Sequence, residues 1–215
     1  MKSIFLASLL ALALGSSCAQ SAEDAVKIPL PTSPHPGPNE KVATFSEGCF
    51  WHAEIVFQSL LGVRDAVSGY CGGTDTDPTY EKVETGTTGH AETVNVYYDP
   101  SKISYETLVK AFFASQDPTE VDRQGNDVGP QYRSIAFYRN DQEKATILGE
   151  IKRLTDAKMY KEKIATEVVP FQKFYPAESY HQEYIFHHPE NPYVSGVSIP
   201  DYLHFRQTFP GPYKS

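Results

Sequence analysis

The chain has 215 residues, of which 40% are hydrophobic and 21% charged, a balance that supports one globular domain with a real core and excludes a disordered acidic chain. Lys and Arg total 19 against 27 Asp and Glu, a formal charge of −8, so the massed basic charge on which nucleic-acid affinity rests is missing. Three cysteines are too few for a disulfide scaffold.

Lys2 precedes an apolar run from Ile4 to Leu14, and small residues follow. This three-part pattern predicts a signal peptide over residues 1–19, because the run is too short to span a bilayer. Cys18 offers an alternative, a lipoprotein signal with a lipid anchor at Cys18, although Gly15 stands where such sites favour an aliphatic residue. Both readings make the protein exported: periplasmic or secreted, or held at a membrane by lipid. Residues 20–40 hold Pro29, Pro31, Pro34, Pro36 and Pro38 and read as an extended linker. The folded domain is expected over 41–215, with a monomer as the default.

Val42 to Phe45 alternates like a strand, Ser46-Glu47-Gly48 reads as a turn, and Cys49 to Leu61 has helical spacing stopped by Gly62. Val63 to Tyr70 and Thr93 to Tyr98 alternate as strands, with Gly69, Gly72 and Gly73 marking a tight bend or a close approach. Ser104 caps a helix to about Ser115, and residues 116–132 form a long polar loop of the functional kind. Ser134 to Tyr138 is a strand, Asp141 caps a charged helix to about Lys158, Thr166 to Val169 is a strand, and Ser179 to His187 is a short helix. The remaining C-terminal residues read as a long irregular segment. The order β-α-β-β-α-β-α-β-α, with short links, gives an α+β fold with helices packed on a mixed sheet.

Cys49 is the most informative residue. It follows a glycine turn and opens a helix, where unpaired N–H groups and the helix dipole favour the thiolate. A buried, inert cysteine beside two core rings is the competing reading. Other segments bear on the choice. Gly48-Cys-Phe-Trp51, Gly69-Tyr-Cys-Gly-Gly73, Pro78-Thr-Tyr80, Gly89-His-Ala-Glu92, Gly125-Asn-Asp-Val-Gly-Pro-Gln-Tyr-Arg-Ser134 and Phe174-Tyr-Pro-Ala-Glu-Ser-Tyr-His-Gln182 stand in that order. Together they resemble the peptide-methionine (S)-S-oxide reductase family, the A-type methionine sulfoxide reductases, over nearly all of residues 42–185.

The resemblance implies a ferredoxin-like two-layer sandwich with additional elements, and neither a metal nor an organic cofactor. It implies Cys49 as nucleophile, Glu92 as the acid, Tyr80 and Tyr132 as phenols that bond the sulfoxide oxygen, and Asp127 as an organiser of that pocket. Phe50 and Trp51 would be the apolar walls that hold the methyl on sulfur. The chemistry needs this combination: a thiolate to attack sulfur, and an acid kept protonated by burial to release oxygen. An apolar cleft beside donors would select one epimer, the S form in this family. Attack would leave a sulfenic acid on Cys49, which condenses readily with a second thiol. Many relatives carry that thiol in a glycine-rich tail, but residues 188–215 hold no cysteine. Cys71, between mobile glycines, is the expected resolving thiol, and a thioredoxin-like partner would then reduce the disulfide. A fixed structural disulfide and direct reduction of the sulfenic acid by an external thiol are the alternatives. Cys49, His52, Cys71 and His90 could be drawn as zinc ligands, but no paired Cys-x-x-Cys or His-x-x-x-His spacing supports that set. A thiol hydrolase pairing Cys49 with His90 or His181 is a second functional class.

Overall fold

Gly48 takes φ +89°, a left-handed turn that glycine alone enters freely, and it connects β1 (Lys41–Ser46) to α1 (Phe50–Gln58) with Cys49 in the N-cap position. The computed structural model describes residues 35–214. The expected signal peptide, the Cys18 anchor and most of the proline-rich linker lie outside the described residues. After α1 come β2 (Val63–Cys71), a one-turn α2 (Tyr80–Val83), β3 (Ala91–Tyr98) and α3 (Tyr105–Ala114). The Ser104 side chain caps α3 by accepting from the Thr107 amide, as its sequence predicts. The expected 116–132 loop contains a small hairpin, β4 (Arg123–Gln124) with β5 (Asp127–Val128), and a 3-10 turn at Pro130–Tyr132. Then follow β6 (Ile135–Tyr138), α4 (Asp141–Asp156), β7 (Glu167–Pro170) and β8 (Phe174–Pro176). Asn140, not Asp141, caps α4, its side chain accepting from the Glu143 amide one turn on.

The main sheet has six strands in the order β7-β6-β1-β3-β2-β8, parallel only between β6 and β7. The fold is therefore α+β on a mixed sheet. Period-2 alternation gives the sheet two different buried faces. One face presents Ala43, Phe45, Val94, Val96 and Tyr70 to α1, α3 and α4, whose own apolar residues complete the main core. Phe45 stacks on Phe57 of α1 at 5.2 Å and on Phe112 of α3 at 5.0 Å. On the far face Thr44 donates to Asn95 at 2.6 Å, and the Ser46 and Thr93 hydroxyls meet at 2.7 Å. A smaller apolar cluster of Cys71, Ala91, Ile135 and Phe137 lies there under Phe171 and Phe174.

The long irregular C-terminal segment is corrected by the structure. After α5 (Tyr184–His187) the chain makes a wide helical turn at Val194–Ser198 and continues into α6 (Ile199–Thr208). Pro200 sits in the first turn of α6, where its missing N–H is no loss, and Tyr202 and Phe205 are buried one turn apart. The short helix expected over 179–187 is split into a 3-10 turn at Ser179–His181 and α5, because Glu183 adopts φ +53° between them. The last residues return to the end of α1: Leu61 donates to the Pro212 carbonyl at 2.7 Å and Lys214 to the Ser59 carbonyl at 2.8 Å.

Phe45→Ala opens a cavity between three elements, and it should cost about 3–5 kcal/mol of stability, read from the urea midpoint at unchanged slope. A loss below about 1 kcal/mol would mean that the stacked rings are not closely packed in solution.

Candidate active site

The end of β1, the glycine turn and the start of α1 bring Cys49, Phe50 and Trp51 to one side of a cavity of about 160 Å³. Tyr80 from α2, Glu92 from β3, Asp127 from β5 and Tyr132 at the end of the 3-10 turn close it, together with Tyr193 from the C-terminal segment. Seven of the eight residues expected from the sequence thus meet in one place. The eighth, Cys71, does not. Register explains why: Tyr70 pairs with Glu92 and Cys71 with Ala91, so Cys71 points to the opposite sheet face from Glu92. Its thiol, pushed up to about 11 by burial, donates to the Lys173 carbonyl at 3.1 Å and lines a separate cavity of about 680 Å³. Both described cysteines are free thiols.

Glu92 is 2% exposed, and its Oε2 accepts the Phe50 backbone N–H at 2.8 Å. Burial holds its carboxyl well above the ordinary carboxylate range, and the charges of Glu84 and Asp127 push the same way; the Phe50 amide opposes them. Glu92 is therefore biased toward its protonated form. The thiol of Cys49 departs from the sequence expectation. The Trp51 and His52 amides at the helix start do favour the thiolate, but burial and then the Glu92 charge outweigh them and raise the thiol well above its usual value. Burial disfavours the charged form of both groups. Helix position alone does not activate this cysteine.

A layer of polar contacts fixes the walls. The Tyr132 hydroxyl donates to the Glu84 carboxylate at 3.1 Å. Glu178 accepts the Tyr80 backbone N–H at 3.0 Å and the Tyr70 hydroxyl at 2.8 Å. Tyr193 donates its hydroxyl to Asp127, whose carboxyl is raised by burial. Tyr184 stacks on the Trp51 indole at 3.7 Å and 4°. Sequence reading missed Glu84, Tyr184 and Tyr193. Nothing local marks Glu84, while Tyr184 and Tyr193 stand in a segment whose docking is decided far away in sequence. His90 and His181, the candidate bases of a thiol hydrolase, are engaged elsewhere. His90 Nδ1 accepts from the Gly73 amide, its Nε2 meets the Asp75 carbonyl, and His181 Nδ1 accepts from Trp51.

A thiol, a buried acid and phenols around a cavity with aromatic walls are the parts of a cysteine-dependent oxidoreductase rather than of a hydrolase. The sequence profile described as "Peptide methionine sulfoxide reductase" matches residues 41–210. The chain is 46% identical over 170 residues to the peptide methionine sulfoxide reductase MsrA of Thermus thermophilus, covering 79% of this chain and 96% of that one. It is 46% identical over 167 residues to MsrA of Pasteurella multocida, covering 78% and 95%. Among solved structures, Mxr1 of Saccharomyces cerevisiae in reduced form superposes with a TM-score of 0.68 at 32% identity, over 73% of this chain and 91% of that one. Methionine sulfoxide reductase A of Corynebacterium diphtheriae gives 0.64 at 31% identity, over 78% and 90%. The chain belongs to the peptide methionine sulfoxide reductase family and is an enzyme of that class.

Glu92→Gln should lower kcat by on the order of 10²–10⁴ by removing the acid. It should also raise stability on the alkaline side. A carboxyl raised in the folded state favours folding fully below its ordinary value of 4.5, and that contribution is lost as pH climbs through the folded value. The variant should therefore be the more stable protein at pH 8 by urea unfolding, with the difference closing below pH 4.5. Equal stability at both pH values would mean that Glu92 is solvated.

Proposed function

We propose that the reduction of methionine sulfoxide proceeds here by attack of Cys49 on sulfur, with Glu92 as the proton donor and the S epimer as the substrate form. The observation that carries this reading is the shared cavity: a thiol and a carboxyl that burial biases toward its protonated form face one small space walled by Phe50 and Trp51. A methyl group fits the ring side, and the oxygen meets Glu92, Tyr80 and Tyr132. Cys49 sulfur bonds to the substrate sulfur as Glu92 protonates the oxygen. The substrate S–O bond and the new sulfur–sulfur bond then break as the hydroxyl transfers to the Cys49 sulfur, so the thioether leaves as methionine and Cys49 is left as a sulfenic acid. Donors aimed at the oxygen are worth a few kcal/mol each, about 3 at most. The proton that the Cys49 thiol gives up on attack restores the Glu92 carboxyl, so the step takes up and releases no net proton.

Recycling needs a second thiol, and Cys71 is our candidate. Condensation of the Cys49 sulfenic acid with the Cys71 thiol forms the disulfide and releases water; a dithiol of the thioredoxin kind then reduces it by exchange. Cys71 starts on the far face of the sheet, so the end of β2 must unpair and turn over before the sulfurs meet. Gly72 and Gly73, directly after it, are where the backbone can do this. The rearrangement should limit turnover, and direct reduction of the sulfenic acid by an external thiol is the competing route. We also read the four central strands, β6-β1-β3-β2, each antiparallel to its neighbours, as a ferredoxin-like core. The basic, apolar and small-residue pattern of residues 1–19 supports export, and hence repair of oxidised proteins outside the cytosol.

Turnover of each sulfoxide epimer with thioredoxin tests these readings. Wild type should act on the S epimer alone, and Cys49→Ser should be inactive. Cys71→Ser should complete one stoichiometric turnover and stop; full multiple turnover by that variant would exclude the resolving role, and equal rates on both epimers would exclude the pocket assignment.

A further inference from the structure

Glu84 stands outside the cavity and reaches it through one phenol. It follows α2 directly and is half-buried. Its backbone N–H donates to the Tyr80 carbonyl at 2.9 Å, and its own carbonyl accepts from the Gln131 side chain at 3.4 Å. These bonds hold the residue against the 3-10 turn that carries Tyr132. Both oxygens of its carboxyl lie 3.1 Å from the Tyr132 hydroxyl, and Tyr132 lines the cavity. A phenol has one proton to give. An ionised carboxyl can only accept, so the Tyr132 proton is then directed at Glu84, and its hydroxyl presents only lone pairs to the cavity. A sulfoxide oxygen is itself an acceptor and gains nothing from a lone pair. Protonation of Glu84 reverses the order: the acid O–H donates to the phenol oxygen, and the phenol proton is free to turn to the cavity.

We propose that Glu84 is a positioning residue whose own protonation decides whether Tyr132 donates a hydrogen bond to the sulfoxide oxygen. It meets neither the sulfur nor the oxygen of the substrate and acts through the phenol alone. The titratable groups around the carboxyl come from several elements: Tyr132 of the 3-10 turn, Asp127 of β5, Glu92 of β3 and Tyr80 of α2. Burial lifts the Glu84 carboxyl above its ordinary 4.5, the bond from Tyr132 opposes that, and the charge of Asp127 adds to burial. The charge of Glu84 in turn raises the carboxyl of Glu92, so the test must hold that influence constant. The proposal rests on the reading of Tyr132 as a donor to the substrate oxygen, and the test separates the two.

The quantity to measure is the fold loss that Tyr132→Phe causes in the first turnover, the stoichiometric release of methionine from the S sulfoxide by the full-length enzyme. That step needs neither Cys71 nor a reductant. Each enzyme is compared with its Tyr132→Phe partner in the same Glu84 background, so the influence of Glu84 on Glu92 is common to both and cancels. With Glu84 present, the loss should be within about 2-fold at pH 8 and grow to about 3- to 10-fold, the size of one neutral hydrogen bond, as pH falls toward 4.5. Glu84→Leu removes the acceptor and leaves the phenol proton free at every pH, so the loss should be about 3- to 10-fold at both ends. Glu84→Gln, neutral throughout and closer in shape, should likewise make the loss independent of pH. A loss that does not grow as pH falls with Glu84 present would overturn the switch. So would a pH-dependent loss that persists in both Glu84 variants. No loss from Tyr132→Phe in any background would overturn instead the reading of Tyr132 as a donor, and the switch with it.

Discussion

The Phe50 amide, at the first turn of α1, donates to the buried carboxyl of Glu92 on β3 at 2.8 Å, and the site is built around that contact. It ties the start of the helix, where Cys49 stands, to the start of a strand whose eight residues are all buried. The same contact sets an electrostatic compromise. The amide favours the carboxylate, burial favours the acid, and burial wins. Burial thus biases Glu92 toward its neutral form, and its ionisation would make the neighbouring thiol harder to deprotonate. In the proposed mechanism the neutral form of Glu92 is the proton source and also the state in which Cys49 is least opposed in losing its proton. Substrate completes the arrangement, because an oxygen that takes the proton and a sulfur that accepts the thiolate must arrive together.

Around that contact the aromatic residues have separate tasks. Phe45, Phe57 and Phe112 fill the core beneath the site and hold β1, α1 and α3 together. Trp51 is held in plane by Tyr184 and at its edge by His181. Tyr193 reaches Asp127 from the C-terminal segment, whose return to the end of α1 is secured by backbone bonds at Leu61 and Lys214. In this chain the C-terminal segment closes the pocket with a phenol. Recycling through Cys71 would then place the mobile step in the sheet rather than in the tail, at the glycines after β2.

Much of this was legible in sequence because it is local. The Gly48 turn, the helix start at Cys49, the Ser104 cap and the alternation of Thr93 to Tyr98 each depend on neighbouring residues. The family resemblance carried by the motifs implied that Cys49, Glu92, Tyr80, Tyr132, Asp127, Phe50 and Trp51 share one site. Helix α6 was illegible for a different reason. The segment carries Gly196 and Pro200, poor helix formers, and α6 packs with buried Tyr202 and Phe205 against α1, more than a hundred residues away in sequence.

By itself, then, the sequence determined the types of group available, their order along the chain and the local turns that present them, since propensity and capping act over a few residues. Only the tertiary structure decided which groups share a space. Strand register puts Glu92 on one face and Cys71 on the other, although Tyr70 and Cys71 are adjacent, because successive strand side chains point in opposite directions. The enclosure that raises both Glu92 and Cys49 is likewise a property of the closed core, since desolvation depends on everything packed around a charge and not on its neighbours in the chain.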